Sequence, residues 1–218
     1  EIKDLKTYFY TEGGTAKAVD GVSFSIYKGE VLGIVGESGS GKSVTALSIN
    51  RLIPNPPGTI EDGEIFINGR DILKLSENEM TKVRGGEVSL ILQDPMTALN
   101  PVFNVSSQVG EAISIHQGLK GNSLWEKIVE SLRSVRIPAP EVRAKDFPHQ
   151  LSGGMRQRVV GAIGISSAPT VLIADEPTTS LDVTIQAAYL RLLKQIQADS
   201  DVGIIFITRL GKTLSPLV

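Results

Sequence analysis

One stretch of the sequence combines glycines, hydroxyls and a lysine at the spacing that phosphate binding requires. Residues 36–43 read GESGSGKS, a full G-x-x-x-x-G-K-S pattern. The pattern directly follows an apolar run at 31–35 and precedes a stretch compatible with a helix, which is the context that it needs. Glycines let successive backbone N–H groups converge on phosphate oxygens, and the following helix adds its positive N-terminal end. The sequence therefore predicts a phosphate site here.

Within this loop, Lys42 is predicted to reach the β and γ phosphates of a nucleotide, and Ser43 to ligate Mg²⁺. ATP and Mg²⁺ are accordingly the expected ligands. The residues predicted to bind the nucleotide in this segment are Gly36, Glu37, Ser38, Gly39, Ser40, Gly41, Lys42, Ser43 and Thr45. The alternative is a Gly/Ser-rich surface turn, which the preceding strand and the lysine in register disfavour.

Two acids end a second apolar run, residues 171–174, as Asp175 and Glu176. Acids at the carboxyl end of a parallel strand lie in the crevice where α/β proteins bind ligands. Asp175 suits an Mg²⁺ ligand, and Glu176 suits a general base that polarises an attacking water. Taken alone, the pair could equally be a buried strand followed by a helix-capping acid, but the glycine loop favours the catalytic interpretation.

Short apolar, β-branched runs elsewhere predict the sheet that positions these groups. The predicted strands are residues 31–35, 64–68, 88–92, 171–174 and 203–208. The last three have almost no polar alternation, which is typical of parallel strands that are buried on both faces. The sequence therefore predicts an α/β core.

Helical spacing appears in two further places. Between residues 93 and 167 the apolar positions are Leu124, Ile128, Val129, Leu132 and Val135. Ser123 and Glu126 precede most of them with the spacing of a capping box. After Asp182, one apolar helix face is predicted from Ile185, Tyr189, Leu192, Leu193 and Ile196. We expect an inserted helical segment and a later helix that packs on the sheet.

Composition excludes several function classes. The 218 residues carry 22 Lys plus Arg against 24 Asp plus Glu, so no broad basic field exists for nucleic acid. The sequence has no cysteine, which removes disulfides, thiolate metal sites and cysteine nucleophiles. No apolar run reaches the ~18–20 residues that cross a bilayer. A membrane role is expected to act through a partner.

The segment LSGGMRQ at 151–157 separates this chain from other phosphate-loop proteins. Ser152 and the two following glycine N–H groups form a second anion site at a helix start. Here the sequence resembles the ABC ATPase family, whose signature is LSGGQ; Met155 takes the usual glutamine position and Gln157 follows two residues later. The LSGGMRQR form, and QDPMTALNP at 93–101, resemble the oligopeptide and dipeptide importer branch.

The resemblance implies a P-loop NTPase (RecA-like) α/β core with an inserted α-helical subdomain and an N-terminal antiparallel β region. It places the ATPase core at residues 1–93 and 167–218 and the helical subdomain at 94–166.

Further site residues follow from the resemblance alone. Gln93 matches the Q-loop glutamine, which contacts Mg²⁺ and the attacking water. The resemblance implies that Ser152, Gly153 and Gly154 close over the γ-phosphate bound by a second subunit in a head-to-tail dimer. Tyr10 is expected to stack on adenine, with Phe9 as the alternative. Residues 180–182 match the D-loop, which crosses the dimer interface.

The implied function is the ATP-hydrolysing subunit of an importer for peptides or a similar small solute. The expected partners are a second ABC ATPase subunit, identical or related, transmembrane permease subunits, and indirectly a solute-binding protein. No nucleic acid partner is expected. Residues 93–101 are expected to help dock a permease subunit, which places the chain on the cytoplasmic face of the inner membrane.

One feature departs from the family pattern. The family continues from Thr208 with a histidine that holds the γ-phosphate, whereas this chain has Arg209, and its only histidines are His116 and His149. The chain also ends sooner than members of the family do. A truncated sequence or a shifted reading frame after Thr208 would explain both departures, and this explanation is favoured over an evolved variant. Two alternatives stay open: an ABC module that binds nucleotide and dimerises without efficient hydrolysis, and a soluble ABC ATPase outside transport.

Overall fold

The structure is a computed structural model that describes residues 1–92, 98–178 and 183–209, with the backbone alone for residues 183–185. Its strands are β1 (Ile2–Thr11), β2 (Gly14–Phe24), β3 (Val31–Gly36), β4 (Gly58–Ile67), β5 (Arg70–Asp71), β6 (Val88–Ile91), β7 (Val171–Asp175) and β8 (Gly203–Arg209). Its α-helices are α1 (Lys42–Ile49), α2 (Glu77–Val83), α3 (Val105–Gln117), α4 (Gly121–Ser134), α5 (Pro140–Arg143), α6 (Gly153–Ile165) and α7 (Val183–Ser200). Short 3-10 helices lie at Ile72–Lys74 and Pro148–Gln150.

A parallel four-stranded sheet, in the order β3-β8-β7-β6, forms the centre of the molecule. It contains the four predicted strand runs at 31–35, 88–92, 171–174 and 203–208, each confirmed to within one residue at either end. In β7 and β8, side chains alternate between two apolar cores: Leu172 and Ile204 face one, and Ile173 faces the other. The predicted burial of these strands on both faces is therefore confirmed.

A second sheet of four strands, in the order β2-β1-β4-β5, is antiparallel throughout. It confirms the predicted N-terminal antiparallel β region. The predicted strand at 64–68 is the end of β4, which begins six residues earlier, at Gly58. A buried hydrogen bond of 2.8 Å joins the hydroxyls of Thr7 in β1 and Ser48 in α1, so this sheet is tied to the helix that follows the phosphate loop.

Helices occupy most of residues 105–165, as the helical spacing predicts. In α4 the predicted apolar positions Ile128, Val129 and Leu132 are buried, and Val135 just after the helix is buried as well. The predicted capping box of Ser123 and Glu126 is wrong. The helix begins at Gly121 with Lys120 as its N-cap and no side-chain cap, because α3 ends at Gln117 and only three residues separate the two helices. Ser123 therefore lies within the first turn, where its hydroxyl donates to the Lys120 carbonyl at 2.8 Å.

Helix α7 confirms the helix predicted after Asp182. Tyr189, Leu192, Leu193 and Ile196 are buried and belong to the core cluster that also contains Leu172 and Ile204. The side chain of Ile185, predicted on the same face, lies outside the described part of the structure. Among the described residues, no helix is both long enough and apolar enough to span a membrane.

Candidate functional site

The predicted phosphate loop connects β3 to α1 in a conformation that glycine makes possible. Gly41 is the N-cap of α1 at φ +85°, in the left-handed region that other residues rarely adopt. A Cβ at this position would lie 2.1 Å from the Ala18 carbonyl oxygen, a distance that no side chain tolerates. The loop backbone therefore packs directly against β2, and its N–H groups stand at the start of α1.

Lys42 is nearly buried, with 7% of its surface exposed. Its Nζ donates to the carbonyl oxygens of Gly36 at 2.9 Å and Glu37 at 2.6 Å, and to the Ser40 hydroxyl at 3.3 Å. These partners are neutral oxygens, so they orient the ammonium group without neutralising it. The charge of Lys42 is thus positioned for an anion in the loop.

Strand register explains why distant residues meet at this loop. Gly36 at the end of β3 pairs with Arg209 at the end of β8, and Asp175 at the end of β7 pairs with Ile207 in β8. The carboxyl ends of three neighbouring parallel strands therefore converge beside the phosphate loop, where open α/β sheets bind their ligands.

Asp175 is buried, and its Oδ1 lacks a hydrogen-bond partner among the described residues. Burial raises the pKa of this carboxyl, and the charge of Glu176 adds to that effect, while a hydrogen bond from Ser43 and the charge of Lys42 act against it. Ser43 and Asp175, the two predicted metal ligands of this region, are therefore in contact. A hydroxyl beside a buried carboxylate oxygen without a partner is a donor set that fits Mg²⁺, which prefers oxygen ligands.

Glu176 lies next to Asp175 with 7% of its surface exposed. The Arg209 Nε donates to both carboxylate oxygens of Glu176, at 3.0 and 2.9 Å. The Arg209 side chain is 44% exposed. The ion pair therefore joins a buried carboxylate, that of Glu176, to a guanidinium at the surface. The pairing places a guanidinium on the predicted general base.

A cavity of about 180 Å³ unites these groups. Its lining consists of Ala18, Ser38, Gly39, Ser40, Gly41, Lys42, Ser43, Val44, Glu176 and Arg209. Thr45 lies one position beyond the lining, and its hydroxyl donates to the Gly41 carbonyl at 3.0 Å. The structure thus brings the predicted loop and the predicted base into one concave site, large enough for phosphate groups.

Other predicted site residues lie apart from this cavity. Ser152 is exposed and is the N-cap of α6, where its hydroxyl accepts from the Met155 N–H at 3.3 Å. A Cβ on Gly153 would meet nothing within 4 Å, and neither Gly153 nor Gly154 is buried. Open space therefore adjoins Ser152 and Gly153 at the start of this segment, and the nucleotide role of Ser152–Gly154 stays a prediction.

The predicted adenine-stacking residue Tyr10 is also outside the cavity lining. It is 50% exposed, and a hydrogen bond with Glu61 raises the pKa of its hydroxyl. Phe9, the alternative, is partly buried with its ring against Gly58. The role of either aromatic stays a prediction. Gln93 and residues 180–182 lie outside the described part of the structure.

Two features of the site escape sequence reasoning. Ala18 contacts the loop through its backbone, which no side-chain pattern reveals. The sequence places Arg209 where the family has its histidine, but the pairing of Arg209 with Glu176 depends on the β7–β8 register, which a single sequence does not specify.

Comparison with known proteins identifies the family of this chain. The profile of the ABC transporter family matches residues 19–179. The oligopeptide transport ATP-binding protein OppD of Bacillus subtilis is 53% identical over 208 residues, which are 95% of this chain and 58% of that protein. The dipeptide transport ATP-binding protein DppD of the same organism is 50% identical, over 95% of this chain and 62% of its own length. The chain spans about three fifths of the length of these curated relatives.

A solved structure of an ATP-binding cassette has the same fold as this chain. A dimeric ATP-binding cassette, bound to ADP and phosphate in a post-hydrolysis state, aligns with a TM-score of 0.82 at 27% identity, over 95% of this chain and 86% of that one. This similarity confirms the predicted fold class. A family profile that covers most of the chain, and relatives at about half identity along nearly all of it, show that the chain belongs to the ABC transporter family.

Proposed function

We propose that this chain is the ATP-binding and ATP-hydrolysing subunit of an ABC importer for peptides or a similar small solute. The observation that carries the proposal is the single cavity that joins Lys42 and Ser43 to Glu176, with Asp175 in contact with Ser43. The importer role is supported by the relatives, which are named for oligopeptide and dipeptide transport.

The loop supplies the binding energy for the nucleotide. Backbone N–H groups of residues 38–41 and the ammonium of Lys42 receive the phosphate oxygens. Glu37 and Gly36 act indirectly, since their carbonyl oxygens hold Lys42. Ser43 and Asp175, with Gln93 as the predicted third ligand, would hold Mg²⁺, which neutralises phosphate charge when bound.

Hydrolysis breaks the bond between the γ-phosphorus and the oxygen that leaves with ADP, as a water oxygen attacks in line. Glu176 orients that water and accepts its proton. Lys42 stabilises the charge on the transferring group, so most of the catalysis comes from positioning and electrostatics.

We further propose that the complete site contains two subunits. Ser152 is exposed, Gly153 and Gly154 are partly buried, and none of the three lines the cavity, so a second copy or a related chain can present the same segment to the γ-phosphate. The dimeric state of the similar solved cassette supports this assembly. Tyr10 or Phe9 would then stack on adenine at the other end of the nucleotide.

The remaining partners are permease subunits, on the cytoplasmic face of the membrane, with a solute-binding protein acting through them. Residues 93–101 are the proposed docking segment for the permease. We retain the division into an ATPase core, residues 1–93 and 167–218, and a helical subdomain, residues 94–166. Movement of the second relative to the first would pass ATP-driven closure to the permease.

One observation favours a second candidate, an ABC module that binds nucleotide with little hydrolysis. Arg209 donates to both oxygens of Glu176, and a carboxylate held in this way has fewer acceptor positions left for a water. A guanidinium also cannot provide the acceptor and donor pair of a neutral imidazole at the family's histidine position.

The deciding experiment measures ATP binding and phosphate release by the purified chain with Mg²⁺, beside a Glu176→Gln variant. Binding in both proteins, with release lost only in the variant, establishes the hydrolysing subunit. Binding in both with release in neither establishes the second candidate. Absence of ATP binding in both proteins contradicts the phosphate site itself.

A further inference from the structure

Gln157 is a buried polar residue on the helix that begins at the signature segment. It lies in α6, five residues after the N-cap Ser152, and none of its surface is exposed. Its side-chain Nε2 donates to the carbonyl oxygen of Pro177. Pro177 directly follows Glu176, so a side chain of the signature helix reaches the backbone next to the proposed general base.

The backbone of Glu176 needs such support. Its φ is +44°, in the left-handed region, which is strained for a residue with a side chain and persists only where the surroundings impose it. On its N-terminal side, the Glu176 N–H donates to the Ile207 carbonyl of β8 at 3.0 Å. On its C-terminal side, the contact from Gln157 holds the Pro177 carbonyl. The two hydrogen bonds fix the backbone of Glu176 from both directions.

The surroundings of Gln157 indicate a positional role. Tyr189 of α7 is buried beside it, and burial raises the pKa of the Tyr189 hydroxyl. Gln157 lies close enough to the Tyr189 hydroxyl for its side chain to act against that rise, but neither the Tyr189 Oη nor the Gln157 Oε1 has a hydrogen-bond partner of good geometry among the described residues. Buried polar atoms without partners reduce stability, so apolar side chains of similar size would pack here at less cost. A polar arrangement kept at such a cost is typical of a functional site.

We propose that Gln157 is a positioning residue for Glu176, and that through it the signature helix couples the two ATP sites of the dimer. This inference rests on the proposed function. In a head-to-tail dimer, Ser152 of one chain contacts the ATP held by its partner, whereas Glu176 of that chain acts on the ATP in its own loop. Gln157 and Ser152 lie about 7–8 Å apart along the axis of one helix. A shift of that helix on closure therefore moves the Pro177 carbonyl and sets the position of Glu176.

The first test replaces Gln157 with methionine, which keeps the side-chain length and removes the donor. Its matched control is Gln117→Met, because Gln117 also donates from its side-chain amide to a backbone carbonyl, that of Ser166, at 2.5 Å, but outside the site. We expect Gln157→Met to lower kcat about tenfold or more, since a misplaced catalytic group loses rate steeply. KM and ATP affinity should stay within about twofold, and the Hill coefficient for ATP should fall to about 1, because ground-state binding is untouched while coupling is lost. Gln117→Met should keep the kcat and Hill coefficient of the natural chain.

The second test does not depend on hydrolysis. Hydrogen exchange of the Glu176 N–H reports how firmly its backbone is held. We expect exchange in Gln157→Met to be about fivefold faster or more, the change that loss of one supporting hydrogen bond produces, with no change in Gln117→Met.

The outcomes separate this inference from the proposed function. Unchanged Glu176 exchange in Gln157→Met overturns the positioning role, as does a lowered melting temperature with unchanged kcat and Hill coefficient. If the natural chain releases no phosphate, the exchange measurement alone decides. If the natural chain fails to bind ATP, the proposed function and the coupling of sites fail together, and faster exchange would support only the positioning of Glu176.

Discussion

The phosphate loop and the signature segment are both proposed anion sites at helix starts, but they differ in how completely the chain surrounds them. At the start of α1, Lys42 is nearly buried and its Nζ is held by three neutral oxygens. At the start of α6, Ser152 is exposed, and its hydroxyl caps the helix by accepting from the Met155 N–H. The first site is preorganised within one chain, whereas the second presents its groups outward. In the proposed assembly, one chain therefore provides a complete phosphate-binding pocket but only one face of a second pocket.

We expect the greatest loss of activity from a substitution in the phosphate loop. Lys42→Ala removes the cation of the loop, so we expect phosphate release to fall about a thousandfold, the upper range for loss of one preorganised charge or donor. ATP binding should weaken strongly as well. Isothermal titration and a phosphate-release assay check this, with Lys74→Ala as the control, because Lys74 pairs with Asp71 on the surface. Equal activity in the two variants would contradict the proposed role of Lys42.

Glycine substitutions separate a close approach from backbone strain alone. Gly41 and Gly39 have similar φ angles, +85° and +82°, but only Gly41 approaches another backbone atom, the Ala18 oxygen at 2.1 Å from its ideal Cβ. We expect Gly41→Ala to cost about 3 kcal/mol of unfolding free energy and Gly39→Ala about 1 kcal/mol, since overpacking adds to the strain of positive φ. Denaturant unfolding measures both values, and equal losses would contradict the contact with β2.

A substitution in the signature segment should affect phosphate release but not ATP binding. Ser152→Ala should lower phosphate release about a hundredfold through loss of a donor to the partner's ATP, while ATP binding to the single chain stays unchanged. Asn104→Ala is the matched control, because Asn104 caps α3 by accepting from the Ser107 N–H at 2.9 Å. Both variants lose a cap worth about 1 kcal/mol. If both lose activity equally, Ser152 is only a cap.

The smallest effect concerns a structural cap outside both sites. Ser76 and Glu79 form a reciprocal capping box at the start of α2, with Glu79 accepting from the Ser76 N–H at 2.8 Å. Ser76→Ala should cost about 1 kcal/mol of stability, and Ser123→Ala only a few tenths, since Ser123 does not cap α4. Thermal unfolding distinguishes the two, and a larger loss for Ser123→Ala would contradict the described start of α4.

The two serines also show which parts of the fold a sequence predicts. Both precede a glutamate by three residues, so the local pattern is identical. The pattern forms a box at Ser76 but not at Ser123, because α4 follows α3 after three residues and begins before its serine. Periodicity, in contrast, predicted the buried strands and the faces of α4 and α7, because burial of apolar side chains decides those elements.

The candidate site likewise contains some features that local sequence patterns predict and others that they do not. The loop at 36–43 is one contiguous pattern whose spacing predicts phosphate binding. Asp175 and Glu176 are adjacent to each other, and the presence of the loop favours the catalytic interpretation of this pair. The bonds from Arg209 to Glu176 and from Gln157 to Pro177 join residues 33 and 20 positions apart. They depend on strand register and on where α6 packs, which no local pattern in one sequence determines.

We propose that a working site combines the phosphate loop of one chain with the signature of another, and an experiment that mixes two variants tests this assembly. Glu176→Gln keeps its signature, and Ser152→Ala keeps its loop and general base. With equal amounts of the two, half of the dimers contain one intact site of two, so we predict recovery of up to about a quarter of the natural rate of phosphate release. The proposed coupling between the two sites would keep the rate below that value. A mixture that releases only the average of the two separate variants would contradict the shared site.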